Sequence, residues 1–292
     1  MKNRIAVYDT TLRDGMQGIE INYSVEDKIQ ISHKLDQLKI DYIEGGFPLS
    51  NEKEEAFFSQ IKKERFEHSK IVAFGSTRRP KQSVEGDAHI QALLQAETPA
   101  VMLVGKTWKE HVRHVINTTP EENLEMIFDS VEYMKQMGRE VLFDLEHFFD
   151  GYKEDREYAL KVLGTASEAG ADALVLCDTN GGTLPTEVSS ILSDLPMESL
   201  ATIGVHFHND CGVAVADTLV AVENGATHIQ GTVNGWGERT GNANLCVLVP
   251  NLCLKMGYEA NIGTQLQQLT SLSRFVAEKA NIIPDRRQPF VG

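Results

Sequence analysis

The sequence predicts an α/β protein, a (β/α)8 TIM barrel followed by a short C-terminal helical extension. Strand-like and helix-like runs alternate along the chain, and the eight strand–helix pairs occupy about 255 residues, as this barrel requires. The 292 residues are 41% hydrophobic, which is enough apolar material for one large core. We expect residues 1–257 to form the barrel and residues 258–292 to begin a linker or helical subdomain.

Eight short apolar runs predict the strands. They are residues 5–8, 41–44, 70–74, 100–104, 140–145, 173–177, 201–205 and 227–233. Helix-like segments separate them, at about 51–66, 83–96, 155–169, from 185, 213–223 and 242–256, with another amphipathic helix at about 264–280. This order is the one that a βα barrel needs.

Two further helices are predicted by their capping residues. The first begins at Ser24, with Asp27 three residues later as a weaker form of the capping box. The fourth begins at Thr119, where Pro120 suits the first helical position and Glu122 completes a capping box. Gly138 is expected to end this helix, because glycine favours the position after a helix C-terminus.

Composition argues against several classes of function. The net charge of -14 disfavours general nucleic-acid binding, which needs a basic face. No apolar run approaches the ~20 residues of a membrane helix. The N-terminus enters a strand-like run directly, and the four cysteines form no C-x-x-C pair. We therefore expect a cytoplasmic protein with reduced thiols and no signal peptide.

A pair of histidines follows the seventh predicted strand. Residues 206–210 are His-Phe-His-Asn-Asp, and side chains two apart on a strand point the same way. His206 and His208 should therefore project from one face, where two imidazoles suit a metal ion. The structural alternative is a pair of buried histidines with hydrogen-bond partners. Two imidazoles make an incomplete metal site, so the rest of the chain must supply a carboxylate.

Polar, glycine-rich loops follow most of the predicted strands. They include residues 9–15, 44–46, 75–79, 105–106, 144–147, 178–182 and 234–242. Turns are polar in any protein, but in a TIM barrel all these loops lie on one rim, where active sites occur. Their coincidence indicates a functional site at that rim.

Three motifs in these loops resemble the DRE-TIM metallolyase superfamily. They are DTTLRDG at residues 9–15, HFHND at 206–210 and GERTGN at 237–242. Within the superfamily the chain is similar to the Claisen-condensing isopropylmalate, homocitrate and citramalate synthases, and residues 74–79 and 146–153 look most like the citramalate synthase branch. The resemblance implies a metal-dependent acyltransferase of leucine or isoleucine biosynthesis. It would join acetyl-CoA, as co-substrate, to a small 2-oxo acid such as pyruvate, and act as a homodimer.

The resemblance also implies a metal site. Asp14, His206 and His208 would bind a divalent cation, with Asn242 as a fourth or water-mediated ligand. Oxygen and imidazole ligands permit Mg²⁺, Mn²⁺ or Zn²⁺ and leave coordination positions open for substrate. The bound metal would then act as a Lewis acid on the ketone of the 2-oxo acid.

The resemblance further implies that Asp14 and three other residues contact the substrate. Arg13 would hold the oxygen that becomes negative, and Glu146 would assist proton transfer at the acetyl methyl group. Thr179 would bind the substrate carboxylate. The structural alternatives are a surface ion pair for Arg13, a paired carboxylate for Glu146 and a turn or helix cap for Thr179.

The end of the chain departs from the family pattern. Members resembling this chain continue into a helical subdomain with a Phe-x-His-Lys motif, whose histidine is thought to assist the general base. We therefore expect a truncated catalytic portion that binds metal and 2-oxo acid but condenses acetyl-CoA poorly. Other hypotheses are an isopropylmalate or homocitrate synthase, a lyase like HMG-CoA lyase, and a non-catalytic module that binds metal and oxo acid.

Overall fold

The structure, a computed structural model, describes residues 4–197 and 200–292. Within them, eight parallel strands close into a barrel in chain order. The strands are β1 (Ala6–Asp9), β2 (Tyr42–Gly46), β3 (Lys70–Ser76), β4 (Ala100–Lys106), β5 (Glu140–Glu146), β6 (Ala173–Asp178), β7 (Thr202–Phe207) and β8 (His228–Gly231). β8 closes the barrel against β1, with Ala6 opposite His228. The predicted barrel is confirmed. Residues 1–3, part of the predicted direct start of the chain, lie outside the described residues.

Several strands continue further into the polar rim than their apolar runs predict. β3, β4 and β7 end at Ser76, Lys106 and Phe207, rather than at residues 74, 104 and 205. Parallel pairing uses backbone N–H and C=O groups, so polar side chains do not stop it. His206 consequently lies inside β7, opposite Cys177 of β6.

Eleven α-helices surround the barrel in the described part of the chain. They are α1 (Val25–Gln37), α2 (Glu52–Ile61), α3 (Ala88–Gln95), α4 (Lys109–His114), α5 (Pro120–Gln136), α6 (Phe148–Glu154), α7 (Arg156–Glu168), α8 (Pro185–Ser193), α9 (Ala214–Glu223), α10 (Leu245–Pro250) and α11 (Leu269–Lys279). The short helices α4 and α6 were not predicted and lie in the loops after β4 and β5. Neither these helices nor any other in the described ranges is long and apolar enough to cross a membrane.

The predicted helix starts are partly right. Ser24 and Asp27 form the predicted capping box of α1. Thr119 caps α5 by accepting a hydrogen bond from the backbone N–H of Glu122. The predicted capping box of α5 is wrong, because the Glu122 carboxylate accepts instead from the backbone N–H of Lys81 and from the Thr118 hydroxyl. This carboxylate ties the loop after β3 to α5.

Several predicted helices have different bounds, and α11 begins at Leu269 rather than near residue 264. α2 ends at Ile61 instead of residue 66. α3 begins only after Asp87, whose carboxylate caps it by accepting from the backbone N–H groups of His89 and Ile90. α10 begins after Asn244 rather than at Asn242. The segment before α10 stays extended because it joins the rim, where Asn242 forms a β-bridge with His208.

A packed core supports the rim from below. Tyr8, Val72, Met102, Leu142 and Val175 belong to a buried cluster of side chains from the strands. A larger buried cluster includes side chains from both strands and helices. Because the interior of a TIM barrel is filled with side chains, polar groups at the rim rest on a rigid base.

The residues after 257 pack against the barrel. Arg4, just before β1, forms a parallel bridge with Glu259. The Asn261 amide donates to Asp41 over 2.9 Å, and Lys279 of α11 lies 3.0 Å from Asp27 of α1. The division of the chain at residue 257 stays a prediction.

Candidate active site

A cavity of about 480 Å³ opens among the C-terminal ends of the strands. Six of the seven predicted site residues line it: Arg13, Asp14, Glu146, Thr179, His206 and His208. The seventh, Asn242, contacts Asp14 from outside this lining. Barrel closure therefore brings residues from both ends of the chain to one side of the molecule.

Asp14, His206 and His208 converge on one point of this cavity. Asp14 follows β1, His206 lies in β7 and His208 comes just after it. The Nε2 atoms of His206 and His208 lie 3.4 and 3.8 Å from Asp14 Oδ2. All three side chains are buried, and one ligand atom from each falls within 4.8 Å of the others. The three groups are close enough to share one cation.

The electrostatic environment favours the metal-binding forms of Asp14 and His208. Burial alone would raise the pKa of Asp14, but the Arg13 guanidinium and the two imidazoles hold it well below its usual value. Burial lowers the pKa of His208 to about 4, and the nearby His206 acts in the same direction. For His206, burial is outweighed by the hydrogen bond and charge of Asp14, which raise its pKa. At neutral pH Asp14 is thus a carboxylate and His208 a neutral imidazole, as metal binding requires.

Asn242 places an amide group beside the Asp14 carboxylate. Its amide nitrogen donates to Asp14 Oδ1 over 3.2 Å and to the carbonyl of Trp236 over 3.1 Å. Its Oδ1 is buried and has no hydrogen-bond partner among the described residues. A buried amide oxygen of this kind, beside a carboxylate and two imidazoles, fits a divalent cation or a water bound to one.

Gly237 makes room for the Asn242 amide. A Cβ atom at position 237 would lie 2.0 Å from Asn242 Nδ2 and 3.4 Å from Asp14 Oδ1. No side chain can occupy that space while Asn242 keeps its place. Steric exclusion therefore explains why the first residue of the GERTGN motif is glycine.

Arg13 is held between two carboxylates and an aromatic ring. Its Nε donates to Glu44 Oε2 over 2.7 Å, and its Nη1 lies 3.2 Å from Asp14 Oδ2. The guanidinium carbon is 4.2 Å from the centroid of the Phe74 ring. Only 16% of the Arg13 side chain is exposed, so the alternative of a surface ion pair does not describe it. Arg13 is a largely buried cation that lines the cavity.

Glu146 and Lys106 form an ion pair across neighbouring strands. They are opposite each other in the register of β4 and β5, and the Lys106 ammonium donates to the Glu146 carboxylate. Arg78 and Arg79 pair instead with Asp129 and Asp87. Of these three cations, Lys106 is therefore the one paired with a carboxylate of the cavity.

Thr179 is fixed by contacts with two other loops. Its hydroxyl oxygen accepts from the backbone N–H of His147 over 2.9 Å, and its carbonyl accepts from Arg239 over 2.7 Å. Arg239 also donates to both oxygens of Asp210. These bonds join the loops after β5, β6, β7 and β8. The hydroxyl hydrogen of Thr179 stays available to a ligand in the cavity.

Comparison with known proteins establishes the family. A model of the HMGL-like family matches residues 4–276. The chain belongs to the HMGL-like family. The resemblance drawn from the three motifs is thereby confirmed.

This HMGL-like chain has relatives of high identity. It is 51% identical over 293 residues to "(R)-citramalate synthase" of Aquifex aeolicus, an alignment that covers 100% of the chain and 56% of the relative. It is 52% identical over 288 residues to the protein of that name from Geobacter sulfurreducens, covering 99% of the chain and 54% of the relative. The chain spans about half the length of these relatives.

Solved structures share the fold of this HMGL-like chain at lower identity. The crystal structure of hydroxymethylglutaryl-CoA lyase from Pseudomonas aeruginosa superposes with a TM-score of 0.79 at 19% identity, covering 98% of this chain and 96% of that one. This likeness supports the barrel alone.

Sequence reasoning missed several residues that shape the HMGL-like site. Gln230 lies within the predicted eighth strand, where no local pattern distinguishes it from a core residue. Arg239 was visible in the GERTGN motif, but its contacts with Asp210 and Thr179 depend on the closed barrel. Glu44 was noted only as a rim residue, because its bonds reach back to the loop after β1.

Proposed function

We propose that this chain is the catalytic barrel of an enzyme that condenses acetyl-CoA with pyruvate to give citramalate. The observation that carries the proposal is the convergence of Asp14, His206 and His208 on one point beside the Arg13 guanidinium. The two relatives that are 51% and 52% identical to this chain bear the name "(R)-citramalate synthase", which supports this reaction. It would be a metal-dependent acyl transfer.

Asp14, His206 and His208 would hold a divalent cation, with Asn242 as a fourth or water-mediated ligand. Mg²⁺, Mn²⁺ and Zn²⁺ are all compatible with these ligands. When bound, the cation would supply Lewis acidity to the ketone of the 2-oxo acid. This chain's own residues then have three tasks: binding the substrate, stabilising charge and moving a proton.

Arg13 stabilises the charge that develops during the reaction. As the methyl carbon of acetyl-CoA bonds to the ketone carbon, the ketone oxygen becomes negative. A guanidinium held by Glu44 and stacked on Phe74 is preorganised to hydrogen-bond that oxygen, and such preorganisation is a major source of catalysis. Thr179 donates its hydroxyl hydrogen to the substrate carboxylate.

Glu146 assists removal of a proton from the acetyl methyl group. It lines the cavity at the end of β5, and the Lys106 ammonium holds its carboxylate there. Water then cleaves the thioester of the condensed product and releases CoA.

Two measurements on the metal-loaded protein test this function. We expect calorimetry to show pyruvate binding only when Mn²⁺ is present, and a thiol assay to show slow CoA release that depends on pyruvate. Asp14→Asn should abolish both, since it weakens the metal site. Glu157→Gln, which removes an exposed carboxylate paired with Lys161, is the matched control. Failure of the wild-type protein in both assays would contradict the proposal.

The same assays separate the alternatives. CoA release with 2-oxoisovalerate or 2-oxoglutarate in place of pyruvate would favour isopropylmalate or homocitrate synthase. Cleavage of 3-hydroxy-3-methylglutaryl-CoA without any 2-oxo acid would favour a lyase. Pyruvate binding without turnover, even when the helical subdomain of the family is restored to the chain, would favour the non-catalytic module. We also propose a homodimer, which light scattering during gel filtration would test.

A further inference from the structure

Gln230 of β8 is a fully buried polar residue beside the candidate metal site. Its side chain has 0% relative exposure, and in the register of the barrel it lies opposite Tyr8 of β1. Burying an amide is unfavourable unless its oxygen and nitrogen both find partners. The partners of Gln230 therefore bear on why a polar residue occupies this position.

The amide joins the site histidine of β7 to a carboxyl group of β5. Gln230 Oε1 lies 2.9 Å from His206 Nδ1, and Gln230 Nε2 donates to Asp144 Oδ1 over 3.3 Å. When Asp144 is ionised, the reverse amide orientation would place the amide oxygen against a carboxylate oxygen. The chemistry of the partners thus selects an orientation in which Oε1 faces the imidazole.

We propose that Gln230 is a positioning residue of the metal site, a role that rests on the proposed function. Its Oε1 accepts the Nδ1–H of His206, so a proton stays on Nδ1 and Nε2 is the nitrogen left to bind a cation beside Asp14. Histidines that bind metals generally donate their other N–H to a carbonyl or carboxylate in this way. Asp144 anchors the far end of the amide.

The second histidine lacks this support. His208 Nδ1 is buried and has no hydrogen-bond partner among the described residues. The two imidazoles are therefore not equivalent, and His206 is the ligand whose ring orientation is fixed in advance. Removing Gln230 should affect metal affinity through His206 alone.

Nitrogen NMR of the wild-type protein tests the tautomer directly. In ¹⁵N-histidine-labelled protein at mildly alkaline pH, with and without Zn²⁺, we expect His206 to carry a proton on Nδ1. The metal-free spectrum is informative even if no metal binds, so failure of the proposed function and failure of this inference remain distinguishable. An Nδ1 of His206 without a proton in both spectra would overturn the inference.

Two variants test the effect on metal binding. Gln230→Met keeps the side-chain length but removes the acceptor, and we expect Zn²⁺ affinity, measured by competition with a chromophoric chelator, to fall about 10- to 100-fold. Gln230→Glu keeps an acceptor facing His206, although it also places an oxygen beside Asp144, and it should retain the Nδ1–H tautomer. Wild-type affinity in Gln230→Met would contradict the proposal. If that variant does not fold, the tautomer in the wild-type protein and in Gln230→Glu decides the question.

Discussion

Arg13 Nε lies 2.7 Å from Glu44 Oε2, so an ion pair joins the loop after β1 to the buried part of β2. Glu44 is fully buried and also accepts hydrogen bonds from the Tyr8 and Thr10 hydroxyls. One carboxylate thus satisfies three donors. Glu44 also holds the Arg13 guanidinium, which we expect to contact the substrate.

We expect Glu44→Ala to lower the free energy of unfolding by about 3–5 kcal/mol, because it removes the nearer of the two carboxylates that pair with the buried Arg13 guanidinium. Urea unfolding at neutral pH would measure the loss. Glu44→Gln is the matched control, since it removes the charge but keeps an acceptor, and it should cost less. Equal losses in the two variants would contradict a role for hydrogen-bond acceptance at this position.

Gly237→Ala should displace Asn242, because the new methyl group would meet its amide nitrogen. We expect calorimetry to show Mn²⁺ affinity about tenfold weaker or worse, the usual cost of disturbing the groups around a metal. Gly182→Ala is the control, since no atom lies within 4 Å of a Cβ there, and it should bind Mn²⁺ as the wild type does. Unchanged affinity in Gly237→Ala would argue against Asn242 as part of the site.

His228 should make the protein sensitive to acid. Burial lowers its pKa from 6.5 to about 4, so between these pH values the unfolded chain takes up a proton and the native state does not. The free energy of unfolding of the wild-type protein should therefore fall as the pH drops from 6.5 to 4. This fall should exceed the corresponding fall in His228→Leu by about 3 kcal/mol. Urea unfolding across that pH window would measure both declines. Parallel declines in the two proteins would contradict the prediction.

Asp36 supports the opposite end of the barrel. Its carboxylate accepts the backbone N–H groups of Glu67, His68 and Ser69 over 3.0, 2.9 and 2.7 Å. We expect Asp36→Ala to lower the free energy of unfolding by about 3 kcal/mol, because three backbone donors, one of them buried, lose a charged acceptor. Asp36→Asn keeps one acceptor oxygen and should lose less. Metal affinity should not change in either variant. A change would show that the two ends of the barrel are coupled.

Local patterns were sufficient to predict most of the fold. The apolar runs located all eight strands, and Ser24 and Thr119 marked the starts of α1 and α5. Those features are local, since a cap or an apolar run acts within a few residues. The short helices α4 and α6 lacked such features and were missed. The ends of β3, β4 and β7 were underestimated, because backbone pairing with a neighbouring strand carries each of them into polar sequence, whereas the end of β8 was placed two residues too late.

The sequence by itself determined the order of the elements and the candidates Asp14, His206 and His208, because motif chemistry and residue periodicity are properties of neighbouring positions. Only the tertiary structure decided which side chains meet. The contacts of Glu44 with Arg13, of Gln230 with His206 and Asp144, and of Asn242 with Asp14 join distant parts of the chain. They depend on how the closed barrel sets neighbouring strands in register, and no short stretch of residues encodes that geometry.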